Sequence, residues 1–176
     1  MSTFNILSTV IANRDATPKV LTDAYVAGGN VCNAEGYVQT GAADGAGSIY
    51  RMFSIPSNAR VETIKLAADA LATGCTLDVG VYYPTYIPVG AGLSASLAST
   101  VINTQFFASA VAASNATATT DITNQSTNNT IVKQELPLWS AIGLTSDPGI
   151  DLDVCVTVHA AVAAQGYIGL KGSYVK

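Results

Sequence analysis

The residues that could carry out chemistry are concentrated in one short stretch of the chain. The segment GIDLDVCVTVHA, residues 149–160, holds two aspartates, one of the three cysteines and the single histidine. Carboxylate, thiolate and imidazole are the groups that bind metal ions and activate nucleophiles. The stretch could therefore be a metal site, a cysteine nucleophile or a purely structural β-strand.

The alternation of this stretch predicts a strand with one apolar side, made of Leu152, Val154, Val156 and Val158. The polar side carries Asp151, Asp153, Cys155, Thr157 and His159. Cys155 and His159 stand four residues apart, about 13 Å along a strand, which one metal ion does not span. Asp153 and Cys155 are closer, but hard carboxylate and soft thiolate favour different metals. The pattern favours a structural strand whose polar side is solvated or covered by a loop.

Other candidate groups give weaker signals. Glu62, Asp69 and Asp78 could form a carboxylate pair across strands, although any sheet surface offers such pairs. The segment GAADGAG, residues 41–47, lacks the lysine and the Ser/Thr of a phosphate-binding loop and is expected to be a flexible connection. We predict no catalytic, cofactor-binding or metal-binding residues, and no enzymatic activity.

Aromatic residues raise the alternative of a carbohydrate-binding module. Trp139, beside Leu138, could be a platform for stacking sugars, but its place in a hydrophobic turn favours a core anchor. Tyr82, Tyr83 and Tyr86 are the further stacking candidates.

Composition narrows the functional classes. The chain has 176 residues, only 11% of them charged against about 25% in typical domains, and a net charge of −4. Without a cluster of Lys and Arg, nucleic-acid binding is disfavoured. No apolar run approaches the roughly 18 residues of a membrane span, and the first residues do not read as a signal peptide, so synthesis in a cytoplasm is expected. Three widely spaced cysteines then predict reduced thiols, mostly buried: Cys32, Cys75 and Cys155.

Turn signals about every ten residues predict an all-β fold, an antiparallel β-sandwich of jelly-roll type. Residues 1–47, rich in glycine, are expected to form an extended N-terminal arm with short strand pieces, the first at 5–12. Residues 48–176 form the body, with an insertion at about 85–130. The strands expected in the body are 48–55, 60–69, 75–84, 150–160 and 166–175.

Two parts of the insertion have different patterns. Residues 98–114 fit a helix or a pair of short strands equally well, whereas 115–129, polar and of low complexity, are expected to be an exposed or partly disordered loop. The sequons at Asn115, Asn124 and Asn128 are expected to carry no sugar. After the insertion, PLWSAIGL (137–144) predicts one helical turn that plugs the sandwich. Pro137 is expected at its first position, and its apolar plug residues are expected to be Leu138, Trp139 and Ile142.

The order of these segments resembles a family of small virion proteins of tailed bacteriophages. The most specific parts are SNARVETIKL with DVGVY, and LPLW..IGL..DPG with the alternating strand that follows. The resemblance covers roughly residues 28–176 and is weakest at 112–130 and in the arm. It implies a decoration, or cement, protein on the capsid surface of the virion, whose partner is the major capsid protein.

Cementing would stabilise the shell through binding at seams that only the assembled lattice offers. We expect a homo-oligomer, most simply a trimer, with residues 1–30 reaching onto the capsid or a sister subunit. A tail or baseplate component and a receptor- or carbohydrate-binding β module are the alternatives, followed by a small enzyme.

Overall fold

The computed structural model describes residues 12–13, 16–18, 20–21, 29–42, 44–160 and 165–176. It has eight strands in the described part: β1 (Val31–Gln39), β2 (Ile49–Pro56), β3 (Arg60–Ala68), β4 (Thr76–Tyr82), β5 (Val101–Ala112), β6 (Thr117–Asp121), β7 (Asp151–Val158) and β8 (Tyr167–Val175). Short 3₁₀ turns lie at Ala95–Leu97 and Ile131–Glu135, and the helical turn α1 spans Leu138–Ala141. In this part of the chain, no helix is long and apolar enough to cross a membrane.

The strands form two four-stranded antiparallel sheets, as the predicted β-sandwich requires. The first sheet has the order β1-β8-β3-β6 and the second the order β2-β7-β4-β5. Alternation decides which side chains enter the core between them, because successive residues of a strand point to opposite faces. The aliphatic sides of β4 and β7 are fully buried there, as are Ile64, Ile168 and Leu170 of the first sheet.

Strand β1 belongs to the body of the sandwich although it lies within the predicted arm. It pairs with β8 along its whole length, from Val31 opposite Val175 to Gln39 opposite Tyr167. Gly36 lets this strand approach the second sheet, since a Cβ atom there would lie 2.1 Å from the carbonyl oxygen of Met52. Most of residues 1–28, including 5–11 of the first expected strand, lie outside the described residues. The domain division at residue 47 stays a prediction.

The expectations for residues 98–129 need correction. Residues 101–112 form one long strand, β5, rather than a helix or two strands, because bulges let it follow β4 despite its irregular alternation. Residues 117–121, expected in a loop, form β6 on β3. The β-branched threonines of β6 favour a strand, but the absence of an apolar face hides it from pattern analysis.

Helical turn α1 plugs the sandwich as predicted, but its buried residues differ from those expected. Leu138 and Ala141 are its buried residues, whereas Trp139 and Ile142 are only partly buried. Pro137 is the N-cap residue, one place before the expected first helical position. The backbone N–H groups of Leu138 and Trp139 donate to Ala59 and Ser57, which fixes the turn to the loop after β2. Leu138, rather than Trp139, is therefore the core anchor.

Candidate functional site

The predicted division of β7 into two sides is correct, but its polar side is buried as well. Asp153, Cys155 and Thr157 point away from the core and are nevertheless almost inaccessible. We call the outer side of the second sheet, around these three residues, the covered face. Two things cover it: the bulged strand β5 and the side chains of neighbouring strands.

Strand β5 lies over β4 at Gly80. Val79 pairs with Ala108 and Val81 with Asn103, so residues 104–107 of β5 are opposite Gly80 alone. A Cβ atom on Gly80 would lie 2.1 Å from the carbonyl oxygen of Asn103. Glycine is thus needed at this position because the backbone of β5 occupies the space of a side chain.

Asp78 fastens this bulge. Its Oδ1 atom accepts a hydrogen bond from the backbone N–H of Ala110 at 2.7 Å, and its Oδ2 atom accepts one from the side chain of Gln105 at 3.0 Å. Ala110 has a φ angle of +51°, a conformation that costs about 1–2 kcal/mol for a residue with a Cβ atom. The carboxylate of Asp78 compensates by satisfying the N–H of that residue.

Arg51 and Asp153 form the second polar contact of the covered face. The Nη1 atom of Arg51 lies 2.5 Å from Oδ2 of Asp153 and donates to the carbonyl oxygen of Tyr83 at 3.0 Å. The hydroxyl of Ser54 donates to the other carboxylate oxygen of Asp153 at 2.7 Å. Each carboxylate oxygen of Asp153 thus accepts a hydrogen bond from β2, which ties this side chain into the contacts of the sheet itself.

Tyr82 closes the face above Cys155. Its ring is buried, its hydroxyl lies 2.6 Å from the Thr157 hydroxyl, and Arg51 sits 5.9 Å from the ring centroid. Burial raises the pKa of the Tyr82 phenol, and it raises the pKa of the Cys155 thiol to about 12. At neutral pH Cys155 is therefore a protonated, inaccessible thiol rather than a nucleophile.

The structure does not bring the other candidate residues of the sequence together in one site. His159 contacts Asp78 through its Nδ1 atom rather than approaching Cys155. Asp69 accepts from the backbone N–H of Tyr167, and Glu62 pairs with Arg60, so neither shares a site with Asp78. Among the described residues, no three His, Cys, Asp or Glu side chains lie together as metal ligands would.

The segment 41–47, expected to be a flexible connection, contains a hydrogen-bonded turn in its described residues. The carboxylate of Asp44 accepts hydrogen bonds from the Tyr50 hydroxyl and from the backbone N–H of Gly41. These bonds, that of Tyr50 first, lower the pKa of Asp44. The N–H of Gly47 donates to Val158, which joins the turn to β7.

The carbohydrate-stacking candidates also change. Tyr82 and Tyr83 are buried, Trp139 is partly buried, and of the four only Tyr86 is well exposed. Two exposed tyrosines escaped sequence analysis: Tyr37 on β1 is 82% exposed and Tyr167 on β8 is 50% exposed. Their ring centroids are 6.5 Å apart. The hydrophobic pattern of the sequence does not predict this tyrosine pair, because the two residues come together only through the pairing of β1 with β8.

These tyrosines belong to the outer side of the first sheet, which we call the open face. Its register sets side chains in rows across the strands. One row holds Glu35, Lys171, Lys65 and Asp121, and the next contains Tyr37, Gly169 and Ala67. Because the second row has small residues at its centre, the face carries an open groove of about 540 Å³ beside Tyr37. No described element covers this groove, in contrast to the covered face of the second sheet.

The sandwich is similar to a chain of a solved phage capsid structure. No protein-family model and no curated protein matches the sequence. A chain in "Capsid of Ralstonia phage GP4" is 25% identical, with a TM-score of 0.56 over 84% of this chain and 85% of that one.

Two further structures are more distant. A chain in "Cyanophage Pam1 capsid asymmetric unit" is 18% identical, with a TM-score of 0.49 over 84% of this chain and 85% of that one. A chain in "Acidic stable capsid structure of Helicobacter pylori bacteriophage KHP30" is 12% identical, with a TM-score of 0.34 over 83% and 87%.

Proposed function

We propose that this protein is a structural component of a bacteriophage virion and belongs to its capsid. The observation that carries the proposal is the likeness, over 84% of the chain, to a chain of the Ralstonia phage capsid structure. The covered face is consistent with it, because its polar side chains bond to one another and serve to hold the sandwich together. Such a protein acts through surface complementarity rather than through a reaction.

Within the capsid, we assign it the role of a decoration protein that binds at seams between major capsid subunits. A seam exists only in the assembled shell, so binding there lowers the free energy of the assembled state relative to free subunits. The low charge of the chain suits burial against a protein surface, since interface cores are depleted of charged residues. Association as a homotrimer, with residues 1–30 reaching onto the shell, remains part of this proposal.

Counting copies in purified virions tests the proposal first. Quantitative mass spectrometry should give a ratio to the major capsid protein that is near one or a fixed simple fraction of it. A copy number at the level of tail components would assign the protein to the tail or baseplate instead. Absence from the particle would overturn the proposal altogether.

Stripping and re-adding the protein separates decoration from construction of the shell. Heads depleted of it should stay assembled and rupture at a lower temperature, and adding the full-length protein should restore the original rupture temperature. Deleting residues 1–27 should weaken rebinding while the melting curve of the body stays unchanged. Unchanged occupancy after that deletion would remove the arm from the proposal.

A further inference from the structure

The two outer faces of the sandwich differ in how many polar and aromatic side chains they leave exposed. The covered face is closed by Arg51, Tyr82 and the bulge of β5, whereas the open face exposes Tyr37, Tyr167 and the charged row. We propose that the open face is the surface that binds the shell, and that it receives an extended segment of the major capsid protein carrying a carboxylate. This inference rests on the proposed capsid function.

The charged row indicates the sign of the partner. Lys65 and Lys171 are directly opposite each other on β3 and β8, an arrangement that is unfavourable for the isolated sheet. Lys171 is compensated by Glu35, whose Oε2 atom is 3.3 Å from its Nζ atom. Lys65 has no ion-pair partner within the described part of the chain. An incoming carboxylate beside Lys65 would relieve the repulsion between the two lysines.

Asp121 does not supply that carboxylate, although the register places it opposite Lys65. Its Oδ1 atom accepts hydrogen bonds from the backbone N–H and the hydroxyl of Thr123, at 2.9 and 2.6 Å, which hold the aspartate to the loop after β6. The exposed cation next to the groove is therefore left for a group from outside the sheet.

The groove indicates the shape of the partner. It continues on both sides of Tyr37, Ala67 and Gly169 into neighbouring hollows and follows the strand direction. From Asn33 to Tyr167, which lies opposite Gln39, it spans about 20 Å, the length of about six residues of extended chain. Tyr37 and Tyr167 border it, and tyrosine is enriched among the residues that dominate binding energy at protein interfaces.

Binding to capsid shells that lack the protein tests this assignment. Shells assembled from the major capsid protein alone are titrated with the full-length chain, and bound copies are counted by mass spectrometry. Lys65→Glu and the double variant Tyr37→Ala/Tyr167→Ala should each weaken binding by about tenfold or more. Raising the salt concentration should weaken the wild type more than the Lys65→Glu variant, because one charge pair is already lost in the variant.

Matched controls lie elsewhere on the surface. Lys176→Glu makes the same charge change at an exposed lysine outside the groove. Tyr86→Ala removes an exposed tyrosine that lies in a loop, away from the open face. Both should bind within about twofold of the wild type. All variants should keep a free energy of unfolding within about 1 kcal/mol of the wild type, because the changed side chains are exposed.

The outcomes separate the two proposals. Failure of the wild type to bind shells contradicts the capsid function itself. Wild-type binding that Lys65→Glu and Tyr37→Ala/Tyr167→Ala leave unchanged overturns only the assignment of the open face. The assignment is also overturned if those variants keep shell binding and lose binding to oligosaccharides on a glycan array, or lose self-association in native mass spectrometry.

Discussion

Asp78 and His159 are 81 positions apart in the sequence, and the structure places Nδ1 of the histidine 3.2 Å from Oδ2 of the aspartate. The register explains the contact, because Thr157 is the partner of Asp78 across β7 and β4 and His159 follows two residues later on the same side. The pair resembles part of a catalytic triad, but Asp78 also accepts from Gln105 and Ala110. Its carboxylate therefore fastens β5 to β4.

Replacing Asp78 by asparagine should destabilise the fold more than removing its histidine partner. An amide has one oxygen for the two donors of β5 and turns an N–H₂ group toward one of them, so a buried donor is left unsatisfied. We expect the free energy of unfolding to fall by about 2 kcal/mol. His159→Gln should change it by about 0.5 kcal/mol or less, because the histidine side chain is 54% exposed. Urea denaturation measures both, and equal losses would contradict the fastening role.

Gly80→Ala tests the cover over β7. The added methyl group would overlap the backbone of Asn103 and Thr104, which cannot move aside as a side-chain tip does. We expect a loss of about 3 kcal/mol or more in the free energy of unfolding. Gly169→Ala is the matched control in a strand, since its nearest neighbour would be 4.0 Å away, and it should stay within about 1 kcal/mol of the wild type. Similar melting temperatures for the two variants would show that β5 does not occupy this space.

Alternation in the sequence was enough to predict the sandwich and the inner side of β7. The four aliphatic residues of that strand repeat with the period of a sheet, and the core requires them. The burial of the outer side of β7 could not be predicted in this way, because Asp153 and Thr157 are buried by residues from β2 and β4. Strand spacing within β7 carries no information about those partners.

Strands β5 and β6 show where local pattern fails. The bulges of β5 break its alternation, and their position depends on Gly80 and Asp78, about 25 residues earlier in the chain. The five residues of β6 are nearly all exposed, so they resemble a loop in composition and become a strand only by pairing with β3. The open face escaped prediction for the same reason, since its rows arise from pairing between distant strands.

Arg51→Lys should not be a conservative change. The guanidinium reaches Asp153, the carbonyl oxygen of Tyr83 and, at 3.4 Å, that of Ser99, whereas an ammonium group cannot reproduce this fork. We expect a loss of about 1–3 kcal/mol in the free energy of unfolding, with faster amide hydrogen exchange at residues 97–100. Lys171→Arg, on the exposed pair with Glu35, should change stability by less than about 0.5 kcal/mol. Unchanged exchange in the Arg51 variant would rule out its link to this loop.

Cys155 should make the fold sensitive to alkali. Its pKa is raised by burial from an ordinary value of 9.0 to about 12, so the protonated thiol is favoured in the folded state. This contribution to stability is complete below pH 9 and is lost as the pH rises from 9 toward 12, at up to about 1 kcal/mol per pH unit. Cys155→Ala should therefore show a shallower fall in unfolding free energy over that range than the wild type, as measured by urea denaturation at stepped pH. Parallel slopes for the wild type and Cys155→Ala would contradict the burial of this thiol under Tyr82.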